Sequence, residues 1–387
     1  MVFADRTESL QAEGAYAVLA KALSLEAAGR DIIHLEIGQP DFDTFDNIRL
    51  AGVRAIANGK TRYTPPEGMP DFRRAIAADA SARRGVDISP EQVVVSPGGK
   101  PSLFFPTLAV VNPGDEVIYP NPGFPTYEAM IRVAGGIPVP VPLVEENDFS
   151  FDLDVFDRRI GERTRMIIIN SPANPTGGIV PAADLAHIAA AAERYDTWVL
   201  SDEIYSRLVY DGLDAAPSIY ALPGMVRRTI VMDGFSKTYA MTGWRLGYGI
   251  MPEELARRVG LLVTHALGST AEFTQHAGLQ ALVGDQRQVD AVVAQYERRR
   301  NAIVDGLNGL PGISCRKPQG AFYVFPNVTQ LGSSSDEIAD RFLAEAGVAL
   351  LPGSAFGEMG EGYLRLSYAN SMENIETAIE KMARVLG

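Results

Sequence analysis

The sequence predicts an α/β protein: a largely parallel central sheet flanked by helices, with a second, smaller α+β domain. Three observations lead there. From about residue 45 to 285, strand-like and helix-like runs alternate across short turns, the pattern of repeated βαβ units. Arg165-Met-Ile-Ile-Ile-Asn170 is continuously apolar in its centre, as expected of a strand covered on both faces and therefore parallel. Beyond residue 285 the alternation gives way to short strands and two helices. Residues 45–285 are thus expected to form the large domain, and 1–44 with 286–387 the small one.

Composition narrows the function. The chain has 387 residues, with 35 Lys and Arg against 48 Asp and Glu, a net charge of −13. That balance argues against nucleic acid and anionic membrane surfaces, which need clustered cations. Arg298-Arg299-Arg300 is a short basic run, and its flanks at helical spacing suggest a solvated helix face. Cys315 is the only cysteine, so no intramolecular disulfide or cysteine metal site forms. A reducing cytoplasm suits such a chain. No apolar run reaches membrane-spanning length, no signal peptide is visible at residues 1–12, and the 4 His form no cluster at metal-ligand spacing.

In chain order, residues 12–29 carry Ala15, Val18, Leu19, Ala22 and Leu25 at helical spacing. Ile32 to Gly38 reads as a strand, and Gly38 as a point of close backbone approach. Tyr63 stands in the loop Thr61–Gly68, between two helical segments. Gln92–Ser96 is a buried strand; Pro97-Gly-Gly-Lys100 and a helix follow. Strand, glycine turn and helix N-terminus together suit a phosphate, which points to Gly99 and Lys100. Phe124 lies just beyond the strand Val117–Tyr119, at the sheet edge where α/β proteins bind ligands. Ser171–Gly178 is a Pro-rich loop containing Asn174, and a helix over 182–194 follows it. Trp198–Tyr205 is a strand ending in polar groups, among them Asp202 and Tyr205. Asp285–Leu307 reads as a long helix. Short strands are expected at Ile313–Arg316, Phe322–Phe325 and Val348–Leu351. In Tyr363-Leu-Arg-Leu-Ser-Tyr368, Arg365 interrupts an apolar strand and needs a partner. Its guanidinium suits a carboxylate held by two hydrogen bonds.

The stretch Asp233-Gly-Phe-Ser-Lys-Thr-Tyr-Ala-Met-Thr-Gly-Trp-Arg-Leu-Gly247 is the most informative. Its lysine, Lys237, has Phe235, Tyr239, Met241 and Trp244 as sequence neighbours, and apolar surroundings favour a neutral amine. Such an amine is a nucleophile toward aldehydes, and Arg245, eight residues on, can bind phosphate.

This stretch resembles the cofactor-lysine motif of fold-type I aminotransferases that use pyridoxal 5′-phosphate (PLP), near the aspartate aminotransferase group. The resemblance runs from about Ala12 to the C-terminus. It implies the PLP-dependent transferase fold type I and transfer of an amino group between an L-amino acid and a 2-oxo acid. Lys237 then carries the PLP aldehyde and later moves the substrate proton. Asp202 keeps the pyridine nitrogen protonated, and Asn174 and Tyr205 bind its O3′. Phe124 stacks on the ring. Gly99, Lys100, Ser236 and Arg245 hold the phosphate, joined by Tyr63 of a second subunit, so the resemblance also implies a homodimer with shared sites. Arg365, with Gly38 and Asn174, takes the substrate carboxylate. A PLP-dependent β-lyase of the same fold is the alternative, because it shares nearly all these residues. The first helix, with Glu13 and Tyr16 toward the substrate side chain, points to neutral or basic donors rather than aspartate.

Overall fold

The computed structural model describes residues 3–8, 10 and 14–387. Its strands are β1 (Ile33–His34), β2 (Val93–Ser96), β3 (Glu116–Asn121), β4 (Ile137–Val144), β5 (Ser150–Phe151), β6 (Thr164–Asn170), β7 (Trp198–Asp202), β8 (Thr229–Gly234) and β9 (Gly247–Ile250), then β10 (Tyr323–Val324), β11 (Val348–Ala349), β12 (Leu351–Pro352) and β13 (Leu364–Ser367). Eight of these form one sheet in the order β2-β9-β8-β7-β6-β3-β4-β5. The pairs β4–β3, β3–β6, β6–β7 and β7–β8 are parallel, whereas β9 is antiparallel to both β8 and β2. The centre of β6 is fully buried from Met166 to Ile169, which explains its unbroken apolar run.

Helices cover this sheet, among them Pro101–Val110, Ala182–Arg194 and Glu253–Ala266. The first helix is described from Gly14 to Ala27; Gln11, Ala12 and Glu13 lie outside the described residues. Two small sheets complete the chain. In one, β1 runs parallel to β11 and joins the N-terminal segment to the C-terminal part; in the other, β13 lies between β10 and β12.

Three expectations are corrected here. The strand expected from Ile32 to Gly38 is regular only over Ile33–His34; beyond it the Glu36 and Gly38 carbonyls turn to side-chain partners. Ile313–Arg316 is not a strand: Ser314 makes a single bridge to Asn327. The Arg298–Arg300 run is not a solvated face. Only Arg298 is exposed, whereas Arg300 is fully buried, pairs with Asp211 at 2.7 Å and lies over the Tyr210 ring. Arg299 pairs with Asp41 at 2.8 Å over Phe42. Helical spacing alone cannot reveal such long-range partners.

Buried ion pairs fix the strands that carry the site. Arg84 meets Glu203, just after β7, at 2.6 Å, and Arg83 meets Asp233 of β8 at 3.2 Å. Buried charges persist only when paired in this way. No helix among the described residues is long and apolar enough to cross a membrane.

Candidate active site

The parallel strands deliver their polar ends to one edge of the sheet. Asn170 ends β6, Asp202 ends β7 opposite it, and β8 runs on past Gly234 to Ser236 and Lys237. Asn170 fixes the following loop, donating to the Asp202 carbonyl at 3.1 Å and accepting from the Asn174 N–H at 2.8 Å. Buried polar groups that satisfy one another in this way hold a rigid edge.

Asp202 is buried, and its Oδ2 accepts from the Tyr127 hydroxyl at 2.7 Å. Its Oδ1 accepts from the Ile204 N–H at 3.2 Å. Burial pushes its carboxyl up to about 7, although both hydrogen bonds pull the other way; the nearby Asp233 and Glu203 add to the rise. Such a carboxylate is poised to pair with a cation.

The Lys237 amine donates to the Gly38 carbonyl at 2.6 Å and faces the rings of Tyr205 at 5.8 Å and Phe322 at 5.7 Å. These are not the aromatics adjacent in sequence. Phe235, Tyr239 and Met241 pack instead into a core cluster with Phe72 and Tyr248. Tyr205 shares a 2.8 Å hydrogen bond with the Tyr323 hydroxyl, and burial pushes the Tyr205 phenol well above its ordinary value. Gly38 is required by space rather than by backbone angle: a Cβ there would lie 2.0 Å from the Tyr323 hydroxyl.

Arg365 is buried, donates to the Asn174 side-chain oxygen at 3.2 Å, and also donates to the Glu36 carbonyl. The rings of Tyr323 at 4.6 Å and Phe356 at 4.9 Å flank its guanidinium, a favourable cation–π setting. Asn174, Tyr205, Lys237, Arg365 and Gly38 are thereby linked through Tyr323.

A second group gathers at the turn before the Pro101–Val110 helix. Gly98 abuts Arg245 so closely that a Cβ would lie 2.3 Å from the guanidinium, and a Cβ on Gly247 would lie 2.6 Å from Gly98 backbone. Gly99 and the buried Ser236 belong to the same two segments. The Lys100 amine lies 5.3 Å over the Phe124 ring, and that ring meets Tyr127 edge-on at 5.7 Å, leading to Asp202. Arg245 also lines a cavity of about 700 Å³ with Pro97, Trp244 and Thr270. Tyr63 is not brought to this centre; it is 96% exposed on the same chain.

Tyr127, Tyr323, Phe356 and Glu36 are site residues that the sequence did not disclose. Tyr127 had a faint signal, since it lies one helical turn beyond Phe124.

A half-buried lysine amine, a buried strand-end carboxylate and a buried arginine thus gather beside this edge of the sheet. The family model for aminotransferase class I and II matches residues 30–382. This chain belongs to the class I and II aminotransferases.

Like the family, it is a PLP-dependent enzyme that transfers amino groups. The aspartate aminotransferase of Pyrococcus horikoshii is 40% identical over 358 residues, 92% of this chain and 91% of that protein. Aromatic-amino-acid aminotransferase 2 of Thermococcus litoralis is 38% identical over 391 residues, 100% of this chain and 98% of that one. In structure, the aspartate aminotransferase of Thermus thermophilus with maleate superposes with a TM-score of 0.95 at 37% identity, covering 100% of each chain. The fold is thus that of the fold-type I enzymes.

The aminotransferase site fits PLP on its own terms. Asp202 is a buried carboxylate near neutrality, suited to a pyridine nitrogen. Gly98 and Gly247 leave no side-chain volume beside Arg245, which suits a phosphate. Burial pushes the Cys315 thiol up to about 12, so it offers no competing nucleophile. No His, Cys, Asp and Glu cluster able to hold a metal occurs among the described residues.

Proposed function

We propose that this aminotransferase works with Lys237 as its proton-transfer base, Asp202 as the cofactor's electrostatic anchor and Arg365 as the clamp for the substrate α-carboxylate. One observation supports the arrangement above all. Lys237 donates to the Gly38 carbonyl and Arg365 to the Glu36 carbonyl, so one short segment holds both the guanidinium suited to a carboxylate and the amine suited to proton transfer at the neighbouring carbon.

When bound, PLP supplies an electron sink for the pair released at the substrate Cα. The chain supplies the rest. Asp202 would hold the ring-nitrogen proton, while Asn174 and Tyr205 would face the ring oxygen. Ser236, Gly99, Lys100 and Arg245 would hold the phosphate, and Phe124 would cover the ring. Arg365 would bind the carboxylate through both guanidinium nitrogens, exchanging the Glu36 carbonyl for a charged partner. The Lys237 amine, released from Gly38, would take the Cα proton and deliver it to the carbon two bonds away, across the nitrogen. Tyr205 and Phe322, on the same amine, would exclude water.

Residues 45–285 would carry the cofactor, and 1–44 with 286–387 the carboxylate clamp. The working unit would be a homodimer in the cytoplasm: Tyr63 is exposed, and Arg245 opens onto a cavity roomy enough for a side chain of a second subunit. The start of the first helix abuts Ala355, beside Phe356, which supports a substrate side chain bordered by Tyr16; the preference for a neutral or basic donor over aspartate rests on Glu13, which lies outside the described residues. The relatives named above are aminotransferases, so the β-lyase alternative has no observation in its favour. A panel of amino acids, scored by conversion of bound PLP to pyridoxamine phosphate, tests the reading. Release of pyruvate and ammonia without an oxo acid acceptor would overturn it.

A further inference from the structure

Behind Arg365 lies a charge ladder that the transamination chemistry does not use. Glu36 is fully buried in the segment that leaves β1, and its carbonyl is the one that receives Arg365. Its side chain faces away to His34, whose Nδ1 lies 2.7 Å from Oε1. The other carboxylate oxygen of Glu36 has no hydrogen-bond partner among the described residues, so His34 is the group that compensates the buried charge. On the opposite side of the ring, Nε2 lies 3.2 Å from Glu26 of the first helix. Both neighbours are acceptors, and only the imidazolium can donate from both nitrogens at once. Burial opposes that charge, but the two carboxylates outweigh it, and the His34 pKa is raised above its ordinary value.

The ladder is tied to the site at several points. The Ser367 N–H donates to the Leu35 carbonyl at 2.7 Å, and Asn370 donates to the His34 carbonyl at 2.9 Å. Strand β13, which carries Arg365, is thus laced to residues 34–36. Two residues further on, the Gly38 carbonyl receives Lys237. The charged groups facing His34 are Glu26 from the helix and Glu36 from its own segment. Lys381 of the C-terminal helix is engaged by Asp31 at 2.8 Å.

We propose that His34 is a positioning residue for substrate carboxylate binding: as imidazolium it bridges Glu26 and Glu36 and fixes the backbone that aims Arg365. Deprotonation leaves one carboxylate without a donor, loosens the 34–38 segment and weakens donor binding. This inference rests on Arg365 being the carboxylate clamp.

The test compares wild type with His34→Gln, Glu26→Gln and Arg365→Lys in single-turnover reactions of the PLP enzyme with alanine, from pH 5.5 to 9. In wild type, the KM for the donor should rise as pH passes the His34 pKa, which NMR of the ring reads independently. In His34→Gln that inflection should vanish and KM should stand about fivefold higher at low pH, the effect of one hydrogen bond, with kcat nearly unchanged. Glu26→Gln keeps the buried pair and removes only the exposed end, so it should move the inflection to lower pH without abolishing it. Superimposable KM profiles for wild type, His34→Gln and Glu26→Gln, with a raised KM in Arg365→Lys, would overturn the proposal and leave the clamp intact. An unchanged KM in Arg365→Lys would remove the clamp itself, and the proposal with it.

Discussion

Tyr127 donates its hydroxyl to Oδ2 of Asp202 at 2.7 Å, and both side chains are buried. The bond stabilises the ionised carboxylate against the burial that pushes it up to about 7. Between the ordinary value of 3.8 and 7, the folded cofactor-free protein binds more protons at Asp202 than the unfolded chain does. Stability from this group therefore falls as pH rises through that window. Melting temperatures of cofactor-free wild type and Asp202→Asn should diverge between pH 4 and 7, with the wild type losing ground, and run parallel above. Tyr127→Phe should lower kcat about tenfold; an unchanged rate would mean that Asp202 does not depend on it.

Lys237→Ala should abolish turnover while leaving the circular dichroism spectrum and the binding of donor to the loaded enzyme intact. Its amine is held at the Gly38 carbonyl, beside Tyr205 and Phe322. Steady-state transamination by this variant at wild-type rates would refute the assignment.

Gly38→Ala should be among the most damaging single-methyl changes, because the added carbon meets the Tyr323 hydroxyl at 2.0 Å. Overpacking costs about 1–3 kcal/mol, and where that cost falls on the site geometry the expected loss in kcat/KM is about five- to 150-fold. Adding Tyr323→Phe removes the colliding atom and should restore part of the activity. If the double variant is no better than Gly38→Ala, the collision is not the cause.

Shared sites can be read by complementation. Lys237→Ala chains should be inactive and Tyr63→Ala chains strongly impaired, yet unfolding and refolding them together should yield mixed dimers with one intact site, built from the Lys237 and Arg365 of one chain and the Tyr63 of the other. Activity would then approach a quarter of wild type, by the statistics of random pairing of intact and damaged halves. Full activity in a monomeric gel-filtration peak would exclude sharing.

Donor choice is tested by kcat/KM for aspartate, alanine, phenylalanine, lysine and arginine. Tyr16, 63% exposed near the start of the first helix, would favour an apolar or aromatic side chain, and the expected preference for a basic donor over aspartate rests on Glu13, which lies outside the described residues. Aspartate emerging as the best donor would show that this helix does not set the preference.

Much of this site was readable from residue order because chemistry and local geometry coincide there. Gly-Gly before a helix, a lysine past a buried strand and an arginine in an apolar strand each carry their reason within a few positions. Strand β6 was legible for the same cause, its burial on both faces leaving an unbroken apolar run. Residues whose role depends on distant partners were not legible. Tyr127 meets Asp202 across 75 positions and Tyr205 meets Tyr323 across 118. The true neighbours of the Lys237 amine come from other elements, and Arg300 looked solvent-facing until Asp211 arrived from 89 positions away. Strand β9, running against its neighbours, contains Gly247 and Gly249, a composition that hides a strand.

The carbonyls of Glu36 and Gly38 act as placeholders. In the proposed cycle Arg365 and Lys237 each leave a main-chain acceptor, so an arriving donor replaces two protein hydrogen bonds rather than filling unused ones. Donor affinity is then a difference between two sets of bonds, and a change that weakens the resting contacts should tighten binding without altering any group that touches the donor.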